Sequence, residues 1–418
     1  MTTRVLVWWT AALVLAGCPG SARPVGPVYP GPGQGQGVDP ERPPPPPPPD
    51  GGGGGDDGGG AGPAGDEPPV AIDVRRVESA ADVPATPPAA GTFRLHLIDV
   101  GTGLAVLVQG HDFALLYDAG TGDPVERPLR ILAYLARVLG PSGDDLCVGK
   151  GEPAPGQRQR LHHVVLSHPH LDHASALDEV LHCFAVDHLW DSGAINDTAF
   201  LRETYEVIAR SPALALHTAA APPPDRTVAF KKGAIVVPAA VAWDSFSEGD
   251  VVELGVDASF QILHADGKKR SDPNQNSVVI ALRLGRARVL LVGDAESGPR
   301  ADPSAPVGDI EEHLLDHHLP ALAADVLQVG HHGSKTSSRM AFLRAVAPRY
   351  ALVSAGPKAY KTVVLPDAEV LAALRAVGAT VLRTDERDAA CPLTGRLGGD
   401  RGPGGCDSYV LTLDPTAP

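Results

Sequence analysis

Ser167-His168-Pro169-His170-Leu171-Asp172-His173 is the stretch on which the reading of this chain turns. It follows the apolar run Val164-Val165-Leu166, so it sits at the end of a buried strand. Three imidazoles and one carboxylate packed this closely are costly to bury unless something binds them. Imidazole nitrogen and carboxylate oxygen are what zinc accepts, at about 2.0–2.2 Å. At a strand end, His168 and His170 can point to one side and Asp172 and His173 to another. That arrangement suits two adjacent ions better than one.

Outward from this stretch, the chain reads as a layered α/β body. Residues 95–100, 105–108 and 113–120 are strand-like upstream, and 128–138 have the apolar spacing of an amphipathic helix. Residues 175–184 read as a helix. Strands are expected at 260–263, 278–282, 288–292 and 325–329, and helices at 338–345 and 368–376. The His-rich stretch 311–318 reads as an exposed helix face.

The body is expected to occupy residues 91–418. Residues 18–90 include unbroken proline at 43–49 and unbroken glycine at 51–55. A polyproline rod followed by a glycine coil buries too little apolar surface to offset chain entropy, so 18–90 is expected to be a disordered tether. Residues 1–17 read as a signal peptide: Arg4, then an apolar run of roughly 13 residues, too short to span a bilayer comfortably. The run ends in Leu15-Ala16-Gly17-Cys18, which resembles the bacterial lipobox. Lipid on Cys18 would anchor the exported chain to a membrane. Pro19 is not the acidic residue linked to inner-membrane retention in lipoproteins, so the outer membrane or cell surface is the expected location. In an oxidising compartment the four remaining cysteines are expected to form disulfides. Cys391 and Cys406 flank a Gly-rich segment and are paired first, leaving Cys147 with Cys183, although four cysteines allow other pairings. The net charge of −15 argues against sequence-blind binding to nucleic acid and leaves room for a small basic patch.

His168-Pro169-His170-Leu171-Asp172-His173 matches the HxHxDH signature of the metallo-β-lactamase superfamily. More widely, residues 93–384 resemble the soluble hydrolase domain of competence-type (ComEC-like) DNA-uptake channel proteins. Further blocks carry this resemblance: Leu97-Ile98-Asp99-Val100-Gly101-Thr102-Gly103, Tyr117-Asp118-Ala119-Gly120, Asn276-Ser277-Val278-Val279, Gly293-Asp294-Ala295-Glu296, and Gly330-His331-His332-Gly333-Ser334-Lys335. The resemblance implies a four-layer αββα sandwich with the metal site along one edge of the two sheets. It implies His168 and His170 on a first metal, with His264 as their third histidine. Asp172 and His173 would hold the second metal, Asp294 would bridge, and His331 would complete the second site, with His332 the runner-up. Asp118 would support the His-rich loop without being a ligand. Asp172, Asp294 and His332 are the catalytic candidates. Zinc is the first expectation for both ions, and manganese the second. Two departures stand out. Ala174-Ser175-Ala176 replaces the family's Gly-rich stretch, and Leu365-Pro366-Asp367 stands where a His-Pro pair is common.

Two such ions sharing a water would lower its pKa from about 15.7 towards roughly 7, and the hydroxide would attack phosphorus or a carbonyl carbon. No GxSxG motif supplies an alternative nucleophile. Lys268, Lys269 and Arg270 follow His264, and Ser334 and Lys335 follow the His-His pair. Ser337 or Ser338 could cap the next helix and favour an anion there. These residues point to a phosphodiester or other phosphorylated substrate, nucleic acid or small molecule. The rivals are hydrolysis of a carbon-based ester, lactone or β-lactam, and a non-catalytic binding lipoprotein.

Overall fold

Several strands are apolar at every position, which requires cover on both faces, and the two faces find different partners. In the computed structural model, which describes residues 69–123, 129–143, 147, 157–391 and 405–415, Leu115 faces one core and Leu116 another, as do Val289 and Leu290. Among the described residues, one sheet has nine strands. In spatial order they are Ala71–Val77, Ser408–Asp414, Phe93–Leu97, Val106–Gln109, Ala114–Tyr117, Arg160–Leu166, Ala185–Asp191, Ala215–Thr218 and Ala242–Ser245. The second has seven: Val251–Gly255, Ala258–His264, Val279–Leu284, Ala287–Leu291, Val326–Gln328, Tyr350–Val353 and Thr380–Arg383.

The central core lies between the sheets, where Leu95, Val106 and Tyr117 meet Phe260, Ile280 and Leu291. The outer face of the first sheet packs on helices Leu129–Leu139, Leu177–Cys183 and Ala199–Ile208. That of the second packs on Asp309–Leu322, Met340–Val346 and Ala368–Ala376. Helix, sheet, sheet and helix are therefore the four layers of the expected αββα sandwich.

Each sheet is antiparallel on one side and parallel on the other. Ala114–Tyr117, Arg160–Leu166 and Ala185–Asp191 run parallel. So do Ala287–Leu291, Val326–Gln328 and Tyr350–Val353. Their carboxyl ends deliver Asp118, His168, Asp294, the His331-His332 pair and Ser354. The sheets are joined here, where the Tyr117 hydroxyl donates to the Val278 carbonyl at 2.7 Å and Val278 N–H donates to the Ser167 carbonyl at 2.8 Å. Gly293, at φ +57°, allows the approach: a Cβ there would lie 2.6 Å from Ser167 Cβ.

One boundary is corrected. The body begins near residue 70, not 91, because Ala71–Val77 pairs with Ser408–Asp414 along its whole length. Val70, Val77 and Val83 are buried. The expected signal at 1–17, Cys18, the tether up to residue 68 and Pro128 lie outside the described residues. Cys147 is bonded to Cys183 and Cys391 to Cys406, with Cα separations of 5.5 and 5.8 Å. Among the described residues, no helix is long and apolar enough to cross a membrane.

Candidate metal centre

Asp118 takes a left-handed conformation, φ 59°, as its strand turns into a loop. Its carboxylate then accepts from Ser167 N–H at 2.6 Å, from the Ser167 hydroxyl at 2.7 Å and from His173 Nδ1 at 2.8 Å. This fixes His173 with Nε2 turned away from Asp118. The loop is pinned by backbone as well: Leu104 N–H donates to the Asp172 carbonyl and Ala119 N–H to the His173 carbonyl, at 3.0 and 2.8 Å. Gly120 is required beside them, because a Cβ would come within 2.4 Å of the His173 nitrogen.

Two groups of donors face each other across a small space. His168, His173 and Asp294 form one, and Asp172, His173 and His332 the other. His173 Nε2 is 3.2 Å from Asp294 Oδ1 and 3.3 Å from His332 Nε2. His332 Nε2 is 3.6 Å from Asp172 Oδ2 and 3.7 Å from Asp294 Oδ2, and His168 Nε2 is 3.9 Å from Asp294 Oδ2. His170 Nδ1 stands 3.0 Å from His168 Nε2. Tetrahedral zinc with bonds of about 2.0–2.1 Å places its ligand atoms on the order of 3.3 Å apart, so these spacings fit divalent metal. Asp294 Oδ1 is buried with no hydrogen-bond partner. A buried carboxylate oxygen that makes no aligned hydrogen bond, with an imidazole nitrogen 3.2 Å away, suits a cation.

The electrostatics agree. Burial holds His168 and His170 below the ordinary histidine range, which leaves neutral nitrogens free to ligate. Burial works against a charge on His173 too, but Asp294 and Asp118 on either side hold it well above that range. Burial would raise Asp294, yet His173, His332 and His331 hold it well below the carboxylate range. The centre as a whole stabilises positive charge.

Several expected roles change. His332, not His331, faces Asp172 and His173. Both histidines are left-handed, φ 53° and 48°, in the turn Gly330–Gly333, so consecutive side chains leave it on different sides. His332 Nδ1 is held by the Ser354 carbonyl at 2.8 Å. His331 Nδ1 is 2.8 Å from Glu296 Oε1 and 2.7 Å from the Thr336 hydroxyl, and its Nε2 is 3.8 Å from Asp294 Oδ2. His264 joins neither group. A register shift between Ile262 and His264 re-aims its side chain. Its Nδ1 meets the Ser277 carbonyl at 2.7 Å, and its ring lies edge-on to His313.

The expected substrate residues are also displaced. Arg270 pairs with Asp266, its Nε 2.6 Å from Oδ2, and Lys268 and Lys269 are exposed on that loop. Lys335 pairs with Glu369 at 2.8 Å. Ser334 is buried and accepts from Arg300 at 3.0 Å. Neither Ser337 nor Ser338 caps the helix Met340–Val346. Buried Glu311 takes Ser338 N–H and Arg339 N–H instead, so no anion is needed there. Leu365 stands in the place of the family's histidine, and Asp367 after it accepts from Lys335 N–H at 2.8 Å and from Arg300 at 2.6 and 2.7 Å, and so ties down the His-His-Gly-Ser turn.

Sequence reasoning missed three residues around the centre. Glu296 backs His331. The Tyr360 hydroxyl donates to Asp172 Oδ2 from the hairpin Ala359–Tyr360 and Val363–Val364. Lys358 enters beside it: a Cβ on Gly122 would lie 3.0 Å from Lys358 Nζ and 3.3 Å from Asp172 Cβ. Only the fold brings this hairpin to the His-rich loop, so no local signal could have found it. Beyond His331 a cavity of about 650 Å³ opens, lined by His264, Arg270, Asp272, Glu296, Asp309 and His313 among others.

Residues 98–356 match the metallo-beta-lactamase superfamily, and the chain belongs to that family, with its metal-dependent hydrolase fold. It is similar to "Competence protein ComA" of Neisseria gonorrhoeae, 37% identical over 160 residues, which are 38% of this chain and 20% of that protein. It is also similar to "ComE operon protein 3" of Bacillus subtilis, 31% identical over 146 residues, which are 35% of this chain and 17% of that protein. The matches thus span a fifth or less of these relatives. Among solved structures, it resembles the metallo-beta-lactamase fold protein YhfI of Bacillus subtilis at 12% identity and a TM-score of 0.38, covering 70% of this chain and 97% of that one.

Proposed function

We propose that this chain is an exported, lipid-anchored hydrolase with a dinuclear metal centre, acting on a phosphodiester or other phosphorylated substrate. The observation that carries the reading is the buried Asp294 carboxylate, which belongs to one donor group and lies 3.7 Å from His332 of the other. His168, His170 and Asp294 would hold one ion, and Asp172, His173, His332 and Asp294 the other. Divalent ions there, zinc first and manganese second, supply Lewis acidity that activates water and neutralises charge developing on substrate oxygens.

The chain's own side chains orient that chemistry. Asp118 fixes the His173 ring, and the Ser354 carbonyl fixes His332. Tyr360 holds Asp172 in place. Lys358 brings an ammonium to the Asp172 side of the centre and would meet a phosphate oxygen. The similarity to competence proteins favours a phosphodiester within the phosphorylated class. Anchoring through lipid on Cys18, at an outer membrane or cell surface, rests on the Leu15-Ala16-Gly17-Cys18 tetrad.

The test pairs metal analysis with a substrate panel. Purified chain equilibrated with zinc or manganese should carry metal in this centre and turn over bis-p-nitrophenyl phosphate but not nitrocefin. Turnover of nitrocefin or a simple ester alone would replace the phosphorylated substrate with a carbon-based one. Turnover of no substrate above the level of an Asp172→Ala variant would make the chain a binding lipoprotein.

A further inference from the structure

Beside the cavity that His264 and His313 line, a second set of imidazole and carboxylate side chains converges. Glu248, from the loop before Val251–Gly255, places its Oε2 2.9 Å from His313 Nε2 and 3.8 Å from His318 Nε2. The three ligand atoms lie within 4.8 Å of one another. These separations bracket the spacing of about 3.3 Å that tetrahedral zinc sets between its ligands.

Two features go beyond an ordinary ion pair. His313 and His318 are five residues apart on one helix, which on a straight helix turns them about 140° from each other. Here the helix Asp309–Leu322 breaks at His318, φ −129° and ψ 15°, two residues before Pro320. Proline cannot donate to the carbonyl four residues back and crowds it, so the last turn unwinds. The kink brings His318 to the side that His313 faces. Moreover, His318 Nε2 is buried and makes no hydrogen bond, 3.8 Å from Glu248 being too far for one. Glu248 is itself aimed from behind, since its other oxygen accepts from Ala265 N–H at 3.3 Å. A carboxylate with a positioned nitrogen and an orphan nitrogen is a ligand set waiting for a cation.

We propose that Glu248, His313 and His318 bind a third divalent transition metal, of the zinc class that accepts two imidazoles and a carboxylate. His264, whose ring lies edge-on to His313 at 5.5 Å between centroids, completes its surroundings. His313 and His264 line the same cavity as Asp272, Glu296 and Asp309. Bound there, the ion would add positive charge next to a cavity whose wall carries four carboxylates and one arginine, Arg270.

The site does not depend on the catalytic reading, and its test is a metal count. Full-length chain in detergent is stripped with chelator, dialysed against zinc, and assayed for zinc per chain by mass spectrometry. The His313→Ala/His318→Ala double variant should hold one zinc fewer than wild type, and Glu248→Gln should bind the same ion at least tenfold more weakly. An Asp294→Ala variant should lose metal from the first centre and keep this one, so failure of either centre is read separately. Equal zinc in wild type and double variant overturns the proposal. Should the double variant not fold, anomalous diffraction at the zinc edge from wild-type crystals decides: a peak bonded to His313 and His318 supports it, and none there overturns it.

Discussion

His173 is held between two carboxylates, with Nδ1 2.8 Å from Asp118 Oδ2 and Nε2 3.2 Å from Asp294 Oδ1. One oxygen orients the ring, and the other belongs to the proposed metal centre. Asp118→Asn preserves size and tolerates the left-handed backbone at φ 59°. It removes the charge that fixes the ring. Loss of such a supporting group weakens metal binding about 10–100-fold. Competition with a chromogenic chelator should show that loss with the fold intact by circular dichroism. Unchanged zinc affinity would remove Asp118 from the centre.

The two adjacent histidines separate by experiment. His332→Ala deletes a donor that faces Asp172, His173 and Asp294, so the second ion should be lost. His331→Ala leaves that donor set whole and should keep both ions, with Glu296 losing its partner. Zinc counts on the two variants check this. If His331→Ala drops a metal and His332→Ala does not, the assignment reverses.

Lys358 Nζ stands beside Gly122, on the Asp172 side of the centre. Charge-assisted hydrogen bonds contribute about 1.5–3 kcal/mol, so Lys358→Ala should raise KM for a phosphodiester about tenfold or more. The effect should shrink as salt rises. A KM equal to wild type at low salt would leave Lys358 without a role in substrate binding.

Asp191, paired with Leu166 across two parallel strands, gives a pH signature in stability. Burial pushes its carboxyl up to about 6, with the Tyr205 hydroxyl 3.3 Å away. An unfolded Asp titrates near about 3.9. Below about pH 4 both states hold the proton and nothing is lost. As pH rises from about 4 to about 6, the unfolded chain gives up its proton first, and the folded state loses relative stability. Asp191→Asn escapes this penalty, so its stability relative to wild type should grow by about 1–3 kcal/mol across that window. Urea unfolding at several pH values measures it. A flat difference would show that Asp191 ionises normally in the folded chain.

The HxHxDH stretch and a layered α/β body could be read from the residues, because ligand-type residues crowd together and strands mix with amphipathic helices, while the four-layer order came only from the family resemblance. His264 could not be placed, since one irregular residue in the pairing of Ala258–His264 with Val279–Leu284 turns a side chain elsewhere. The convergence of His313 and His318 required a kink that helical periodicity does not anticipate. Ala71–Val77 alternates properly but follows a long Pro- and Gly-rich stretch, and its partner strand lies at the other end of the described chain. Tyr360 and Lys358 reach the centre only through tertiary folding. Arg270 after His264 was legible as a charge, but its partner Asp266 was not.

Ser408–Asp414 lies between Ala71–Val77 and Phe93–Leu97 and pairs with both. The two earliest described strands therefore find their shared neighbour only in a segment far later in the chain. Loop closure over such a distance is slow, and until then both strands present unsatisfied edges. Asp118, and through it His173, hang from this same sheet, so removing the 408–414 strand should loosen the support of the His-rich loop as well as the sheet edge.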